Sequence, residues 1–253
     1  MASNAAHAAF KSGWSVSTPH LVSSNIGFRS WAANTTLGTL SAEGLRELES
    51  IASIVDYKAG GILFLEQMPL DQVFIVLEGD VRLSLQDAGG RRLTLRVARR
   101  GAVLGMHSVL FGSPSEWSAD ILYRSRIALI ERDDFLRFAQ RYPEVHRLAT
   151  VELMAILGHA CATLRIVGLT TCVRRRLASQ LLEWGERGNK TGDQTQFCMA
   201  LTHAQIAEFI GAVRETVTRA LIAFKQRGLV EIRGTMLRIP STAALRKCAE
   251  RGQ

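Results

Sequence analysis

The sequence has few of the residues that build disulfide, metal and catalytic sites. Its 253 residues include only four cysteines, five prolines and six histidines. The cysteines (Cys161, Cys172, Cys198 and Cys248) are widely spaced without a C-x-x-C pair, so no metal site is predicted and we expect buried or half-buried thiols. The chain also lacks a Gly-x-Ser-x-Gly elbow, a P-loop and an H-E-x-x-H helix, which argues against the common enzyme classes.

The chain also lacks long apolar runs, and its N-terminal part lacks acidic residues. No uninterrupted run of about 18 apolar residues occurs, so no membrane-spanning helix is predicted. No Asp or Glu precedes Glu43, and the beginning of the chain has no apolar signal-peptide core. We predict that residues 1–36 form a flexible tail, whose Trp14, Phe28 and Trp31 can dock on the body of the protein, and that the protein is cytoplasmic.

The positive charge is concentrated in the C-terminal third. The whole chain has a formal net charge of +8, from 31 Lys and Arg against 23 Asp and Glu. Residues 170–253 hold 14 basic and 7 acidic residues, whereas residues 1–169 hold 17 and 16. The C-terminal third is therefore expected to attract phosphates, with an affinity that depends on salt.

The segment Leu201–Gly228 predicts two short helices joined by a tight turn at Gly211. Thr202 followed by Gln205 forms a capping-box pattern at the start of the first helix. Apolar residues recur every three or four positions in the second helix, which predicts a buried stripe: Val217, Ala220, Leu221 and Phe224. This pattern is typical of a helix-turn-helix that places its second helix in the major groove of DNA.

Charged and hydroxyl residues of the second helix lie largely off the apolar stripe. Arginine can bond bidentately to guanine and glutamate can accept from cytosine, so Arg214, Glu215 and Arg219 are candidate base-contacting residues. The alternative is an ordinary solvated helix face. The predicted DNA-binding residues are Thr202, Arg214, Glu215, Thr216, Thr218, Arg219 and Arg233.

The residues that flank the helical pair favour the DNA-binding interpretation. Two β-patterned runs, residues 229–232 and 236–239, surround the turn Arg233-Gly234-Thr235 and predict a hairpin. A hairpin that directly follows a helix-turn-helix is the wing of a winged helix. Thr242–Cys248 is expected to form a last short helix.

The middle of the chain predicts an antiparallel β-domain. A helix over Leu40–Ser53 precedes short alternating runs between residues 62 and 130, and glycine-containing turns separate these runs. The fold class is therefore α+β: an N-terminal antiparallel, jelly-roll-like β-roll, a long dimerisation helix and a C-terminal winged helix-turn-helix.

A long helix is predicted over residues 143–168. Small and apolar residues recur at alternating spacings of four and three, which is typical of a coiled-coil seam between two protomers. The predicted dimerisation residues are Ala149, Leu153, Ile156, Ala160, Thr163 and Val167. A core helix is the alternative. A further helix is predicted over Thr170–Trp184, with Arg174-Arg175-Arg176 near its start. Three roles stay open for these arginines: a solvated face, contacts with the DNA flanks, or contacts with the partner domain. Glu186–Gln196 is expected to be a flexible loop.

The stretch LTHAQIAEFIGAVRETVTRAL resembles the DNA-binding signature of the Crp/Fnr family of bacterial transcription regulators. The segments K-A-G-G-I-L-F, Q-V-F-I-V-L-E-G-D-V-R-L and G-A-V-L-G resemble the cyclic-nucleotide-binding β-roll of the same family. The resemblance covers about residues 40–240. It implies base contacts by Arg214, Glu215 and Arg219, a homodimer on pseudo-palindromic double-stranded DNA, and RNA polymerase as a partner. Val213 departs from the Ser or Thr usual at that position.

The phosphate-binding cassette also departs from the family pattern. Met106 stands where the family has Glu, and Trp117 stands where it has Arg. A buried cyclic phosphate needs a paired cation or several N–H donors, so control by cyclic AMP is not expected. If the loop is misaligned, Arg124 or Arg126 is the first candidate for that cation. The residues of the candidate ligand pocket are Gly105, Met106, His107, Ser108, Trp117 and Ser118.

These observations imply four segments: a tail over 1–36, a sensor domain over 37–142, a dimerisation helix over 143–168 and a DNA-binding domain over 169–253. Two alternatives remain at this stage. One is a ligand-binding signalling module that does not bind DNA, and the other is a haem-based gas sensor with His107 as a ligand. A lone histidine is more often structural, so no cofactor is predicted. The small-molecule effector cannot be named from the sequence.

Overall fold

A computed structural model of the chain describes residues 20–21, 32, 35–170 and 172–251. The chain divides into two compact units, one of Met1–Gly90 and Leu95–His159 and the other of Arg91–Thr94 and Ala160–Gln253. Most of the predicted tail, including Trp14, Phe28 and Trp31, lies outside the described residues. Within it, His20–Leu21 pairs with another strand and Ala32 is fully buried.

The helices are distributed over both units. α1 begins after Ser41, whose hydroxyl accepts a hydrogen bond from the Gly44 N–H and so caps the helix. A short 3-10 turn, Thr36–Thr39, precedes it. The helices are α1 Ala42–Ser50, α2 Met106–Phe111, α3 Arg132–Arg141, α4 Glu144–Leu169, α5 Val173–Gly185, α6 His203–Ile210, α7 Arg214–Gln226 and α8 Thr242–Arg251.

Within the described residues, the strands form three antiparallel sheets. Their bounds are β1 His20–Leu21, β2 Ala52–Tyr57, β3 Ile62–Phe64, β4 Gln72–Glu78, β5 Val81–Gln86, β6 Arg92–Ala98, β7 Val103–Leu104, β8 Ser118–Ile121, β9 Ser125–Glu131, β10 Asn189–Thr191, β11 Gln194–Cys198, β12 Glu231–Arg233 and β13 Met236–Ile239. The strand orders are β1-β2-β9-β4-β7, β3-β8-β5-β6 and β10-β11-β13-β12.

The first two sheets form the predicted β-roll, because their inward residues share one apolar core. Ile75 and Ile127 come from one sheet and Leu83 and Ile121 from the other, and all four are almost fully buried. Burying side chains of this size is the main stabilising contribution to such a domain. The fold class predicted from the sequence is confirmed.

Three elements differ from the predictions. The predicted helix over Leu40–Ser53 ends at Ser50, because the next residues pair with β9 as strand β2. Residues 132–141 form helix α3, which was not predicted. The predicted loop Glu186–Gln196 contains the β10–β11 hairpin, which β13 stabilises by pairing with β11. The residues of β10 are all exposed, so they show no alternation that could indicate a strand.

Helix α4 and the cysteines also correct the sequence predictions. By length and composition, α4 could cross a membrane: an 18-residue window has a mean hydropathy of 1.4. The sequence did not predict this candidate span, because polar residues interrupt the apolar residues of α4. Cys161 and Cys198 are exposed, contrary to the expected burial, whereas Cys172 is half-buried and Cys248 is buried.

Candidate nucleic-acid interface and ligand cavity

The helix-turn-helix is built by local interactions that the sequence indicates. The Thr202 hydroxyl accepts from the Gln205 backbone N–H, and the Gln205 side chain accepts from the Thr202 N–H, at 3.2 and 2.8 Å. This reciprocal capping box satisfies two N–H groups at the start of α6. Helix α6 ends at Ile210, and the following Gly211, whose φ of 58° suits glycine, turns the chain towards α7.

Helix α7 buries its apolar stripe and exposes its charged residues. The four predicted stripe residues are all buried. Arg214, Glu215 and Arg219 are all exposed. Val213 occupies the N-cap position without a side-chain hydrogen bond, because valine carries no acceptor. The structure therefore leaves the three predicted base-contacting side chains free of the core and places them at the beginning and middle of the helix.

The two threonines of α7 are partly engaged within the protein. The Thr218 hydroxyl donates to the Arg214 carbonyl oxygen at 3.0 Å, and His203 Nδ1 lies 2.8 Å from the same hydroxyl. Since that hydroxyl hydrogen is used, His203 must donate through Nδ1 for both contacts to be hydrogen bonds. Arg219 Nη2 donates weakly to the Thr216 hydroxyl, at 3.4 Å. Sequence reasoning missed His203, because its role depends on a contact between two helices.

The predicted wing is present as the β12–β13 hairpin. Glu231 pairs with Arg238 and Arg233 pairs with Met236 across the two strands, and Gly234 in the turn has a φ of 57°. Arg233 is exposed at the end of β12. The Arg238 guanidinium instead donates to Glu231 at 3.0 Å, so this arginine holds the hairpin together.

The first unit contains a small cavity against α4. Its volume is about 10 Å³, roughly the space for one water molecule. Of the six residues predicted to form the ligand pocket, Gly105, Met106, His107 and Trp117 line it; Ser108 and Ser118 are buried but are not among the lining residues. The remaining lining residues, which were not predicted as pocket residues, are Val103, Leu104, Ala149, Glu152, Leu153 and Ile156.

The charges around this cavity do not suit a buried anion. Among the described lining residues, His107 and Glu152 are the ionisable ones. Burial lowers the pKa of His107, with a smaller opposing effect of Glu116, so the neutral imidazole is favoured. The Glu152 carboxylate accepts from Arg96 Nη2 at 2.9 Å, and the two side chains are 9% and 8% exposed.

The rings of His107 and Trp117 lie against each other in the wall of the cavity. The His107 and Trp117 ring centroids are 4.7 Å apart, and Ser108 Oγ lies 3.1 Å from His107 Nε2. Trp117 Nε1 is buried and has no hydrogen-bond partner among the described residues. Arg124 and Arg126, the reserve candidates for a phosphate-binding cation, both donate to Asp56 at 3.0 Å. They lower the pKa of that carboxyl and are not among the residues that line the cavity.

Helix α4 has two faces with different surroundings. Its inward face carries Val145, Leu148, Ala149 and Glu152, which are all buried. Thr163, another of the six predicted dimerisation residues, is also buried within the chain, so Ala149 and Thr163 are not available to a partner. Ile156, Ala160 and Val167 are half-buried and Leu153 is exposed. An exposed stripe, here called the outward stripe, consists of Met154, Leu157, Cys161 and Leu164.

The outward stripe has the alternating spacing of a coiled-coil seam, with steps of three, four and three residues. Met154, Leu157 and Leu164 are 60%, 55% and 66% exposed in the single chain. Large apolar side chains aligned in this way are unusual on a surface that meets only water. The structure therefore places the apolar surface of α4 about one residue away from the seam predicted from the sequence.

A β-roll, a long helix with an exposed apolar stripe, and a winged helix with an exposed, charged second helix together define a DNA-binding protein with an attached sensor-like domain. Two family models match this chain: the cyclic nucleotide-binding domain over residues 54–142 and the Crp-like helix-turn-helix domain over residues 175–248.

Comparison with individual proteins gives the same assignment. The chain is 28% identical to a CRP-like cAMP-activated global transcriptional regulator of Mycobacterium tuberculosis, over 77% of this chain and 87% of that protein. It is 28% identical to the transcriptional regulator SdrP of Thermus thermophilus, over 81% and 99%. A crystal structure of a CRP/FNR-family regulator from the same species superposes with a TM-score of 0.62, at 26% identity over 78% and 98% of the two chains. This chain belongs to the Crp/Fnr family and is a transcription regulator with a helix-turn-helix DNA-binding domain.

Proposed function

We propose that this regulator binds pseudo-palindromic double-stranded DNA as a homodimer, and that it does so without cyclic AMP. The observation that carries the proposal is the exposed set Arg214, Glu215 and Arg219 on a helix whose opposite face is buried. A carboxylate beside arginines has no use in binding phosphates alone, whereas it can accept from a cytosine amino group.

Each protomer would contact one half-site. Arg214, Glu215 and Arg219 would contact base edges, with half-sites related to TGTGA as the family resemblance implies. The remaining predicted DNA-binding residues of the winged helix would contact the phosphates of the DNA backbone: Thr202, Thr216, Thr218 and Arg233. Thr218 contributes less than the sequence predicts, because its hydroxyl already bonds within the protein.

Dimerisation would use the outward stripe of α4. A parallel pair of α4 helices would cover Met154, Leu157, Cys161 and Leu164 with their counterparts, and Leu153 would lie at the edge of this contact. Two recognition helices about 34 Å apart would then face successive major-groove segments on one side of the DNA. A partner helix therefore accounts for the exposed apolar surface of α4 without a membrane.

The cavity supports independence from cyclic AMP. Met106 and Trp117 replace the carboxylate and the cation that a ribose and a cyclic phosphate require, and the space left is about one water molecule. Glu152 is already ion-paired with Arg96, so Arg96 is not a free cation for a phosphate placed there. The same lack of space disfavours a haem next to His107.

The family assignment supports three further proposals. The segments 37–142, 143–168 and 169–253 would act as sensor-like domain, dimerisation helix and DNA-binding domain. RNA polymerase would be a partner, and the protein would act in the cytoplasm and not as an enzyme. The effector, if one exists, would have to open the cavity before it could bind.

Replacement of Arg214 by Ala tests the DNA contacts. The wild-type protein is used to select a duplex from a random library, and fluorescence anisotropy measures its affinity. R214A should lose about 1–3 kcal/mol on that duplex and should discriminate less at one guanine. K247A, which removes an exposed charge from α8, should keep the same discrimination. Unchanged selectivity of R214A would overturn the assignment.

Calorimetry tests independence from cyclic AMP. We expect no micromolar binding of cyclic AMP or cyclic GMP, and the selected duplex should bind equally well with and without either nucleotide. A micromolar dissociation constant, or DNA binding that requires nucleotide, would contradict this part of the proposal.

A further inference from the structure

Arg176 lies in the first turns of α5, and its guanidinium group contacts four backbone carbonyls. Nε donates to the Thr170 oxygen at 2.5 Å, and Nη2 donates to the Val167 oxygen at 3.0 Å. Nη1 donates to the oxygens of Ile210 and Gly211 at 3.2 and 3.1 Å. A guanidinium has five N–H donors, so most of its bonding capacity is used on the main chain.

These carbonyls belong to the ends of two helices that have different tasks. Helix α4 ends at Leu169 and helix α6 ends at Ile210. The last carbonyls of a helix lack intrahelical donors and form the negative end of its dipole. One arginine therefore satisfies carbonyls at the C-terminal end of α4 and at the C-terminal end of α6. It thereby connects the dimerisation helix to the helix-turn-helix.

The turn at Gly211 also packs closely against the end of α4. A Cβ atom on Gly211 would lie 3.0 and 3.1 Å from the two methyl groups of Val167. Only two residues separate Gly211 from Arg214, the first residue of α7. The end of α4 therefore contacts the turn that determines the direction of the recognition helix.

The neighbouring arginines are used differently. Arg175 Nε donates to the Ala249 oxygen of α8 at 2.9 Å, and Arg174 is exposed. Of the alternatives left open for Arg174, Arg175 and Arg176, the structure therefore assigns main-chain carbonyl contacts to the last two, whereas the exposed Arg174 contacts only the neighbouring Cys172 among the described contacts. Arg174 has the same charge as Arg176 and lies two residues away, so it offers a matched control.

We propose that Arg176 is a positioning residue for DNA recognition. By joining the end of α4 to the helix-turn-helix turn, it sets the direction of α7 relative to the dimer axis and hence the separation of the two recognition helices. This inference rests on the proposed homodimer. Lysine cannot replace Arg176, because an ammonium group donates from a single point and cannot reach four carbonyls in two directions.

The test compares wild type, R176Q, R176K and R174Q on four DNA duplexes. These are the palindrome selected by the wild-type protein, the same palindrome with one base pair added between the half-sites, the same palindrome with one base pair removed, and a single half-site. Sedimentation checks the dimer and thermal melting checks the fold. The quantity compared is the affinity for the selected palindrome divided by that for each altered spacing.

R176Q and R176K should lose at least tenfold of this spacing preference, while their half-site affinity should change less than about threefold. R174Q should weaken binding to all four duplexes by a similar factor and keep the preference, because phosphate contacts do not depend on spacing. R176K retains the charge and the long side chain, so it remains informative if R176Q does not fold.

An unchanged spacing preference in folded, dimeric R176K would overturn the proposal, as would a uniform loss on all duplexes. A different result would overturn the proposed function itself: a monomeric wild-type protein, or a wild-type dimer that binds all spacings equally. The two failures are therefore distinguishable.

Discussion

Replacement of Leu157 by Asp would test the dimer surface most directly. Leu157 is 55% exposed in the single chain and lies in the middle of the outward stripe. Burying a whole leucine side chain contributes about 1.5–3 kcal/mol, so covering the exposed 55% contributes about 0.8–1.7 kcal/mol. Two-fold symmetry doubles this to about 1.6–3.3 kcal/mol per dimer.

L157D should therefore raise the dimer dissociation constant by at least about 15- to 200-fold, at roughly a factor of ten for each 1.4 kcal/mol. The facing carboxylates add a desolvation cost to this loss. Sedimentation equilibrium at several micromolar concentrations measures the constant, and anisotropy on the selected palindrome should show a parallel loss of affinity.

Two variants separate the interface from the fold. L85D changes a leucine on strand β5 that is 38% exposed and should leave the dimer intact. I156D places a carboxylate at a half-buried position that packs against the β-roll core, so it should lower the melting temperature first. An L157D protein that sediments as an unchanged dimer would refute the outward stripe as the interface.

Three further predictions concern stability. V213T supplies the N-cap acceptor that α7 lacks, so it should raise the free energy of unfolding by about 1 kcal/mol in chemical denaturation. An unchanged free energy of unfolding would contradict this prediction. Because burial lowers the pKa of His107, its contribution to stability is complete above the unfolded pKa of about 6.5 and is lost as the pH falls through the folded pKa. The melting temperature of H107Q should thus fall less between pH 7 and pH 5 than that of wild type; equal slopes would contradict this. E152Q leaves the buried Arg96 without its carboxylate and should lower the free energy of unfolding by about 3–5 kcal/mol. E43Q removes an exposed carboxylate and should lower it by about 1 kcal/mol or less. Similar losses for the two variants would contradict the importance of the buried pair.

The helix-turn-helix could be predicted from the sequence because its determinants are local. The capping box joins Thr202 and Gln205, which are three positions apart, and the turn depends on one glycine, Gly211. The stripe of α7 repeats every three or four residues, so one side of the helix had to be buried. Each of these patterns lies within about one helical turn, so it can be recognised in the sequence without knowing the tertiary contacts.

The hairpin of β10 and β11 could not be predicted in the same way. All residues of β10 are exposed, so neither face shows an apolar pattern. These strands exist because β11 pairs with β13, which lies far along the chain, from Thr195↔Ile239 to Cys198↔Met236. Pairing partners at this distance leave no local trace in the sequence.

The sequence alone determined that α4 is a long helix with apolar residues, because apolar residues that recur every three or four positions need no partner to be recognised. Tertiary structure decided which face of α4 is buried. Apolar residues occur on both sides of α4, and only packing against the β-roll buries Ala149 and leaves Leu157 exposed. The role of Arg176 depends on the same level of structure, since the carbonyls of Val167 and Gly211 are distant in the chain and meet only when the two helices pack together.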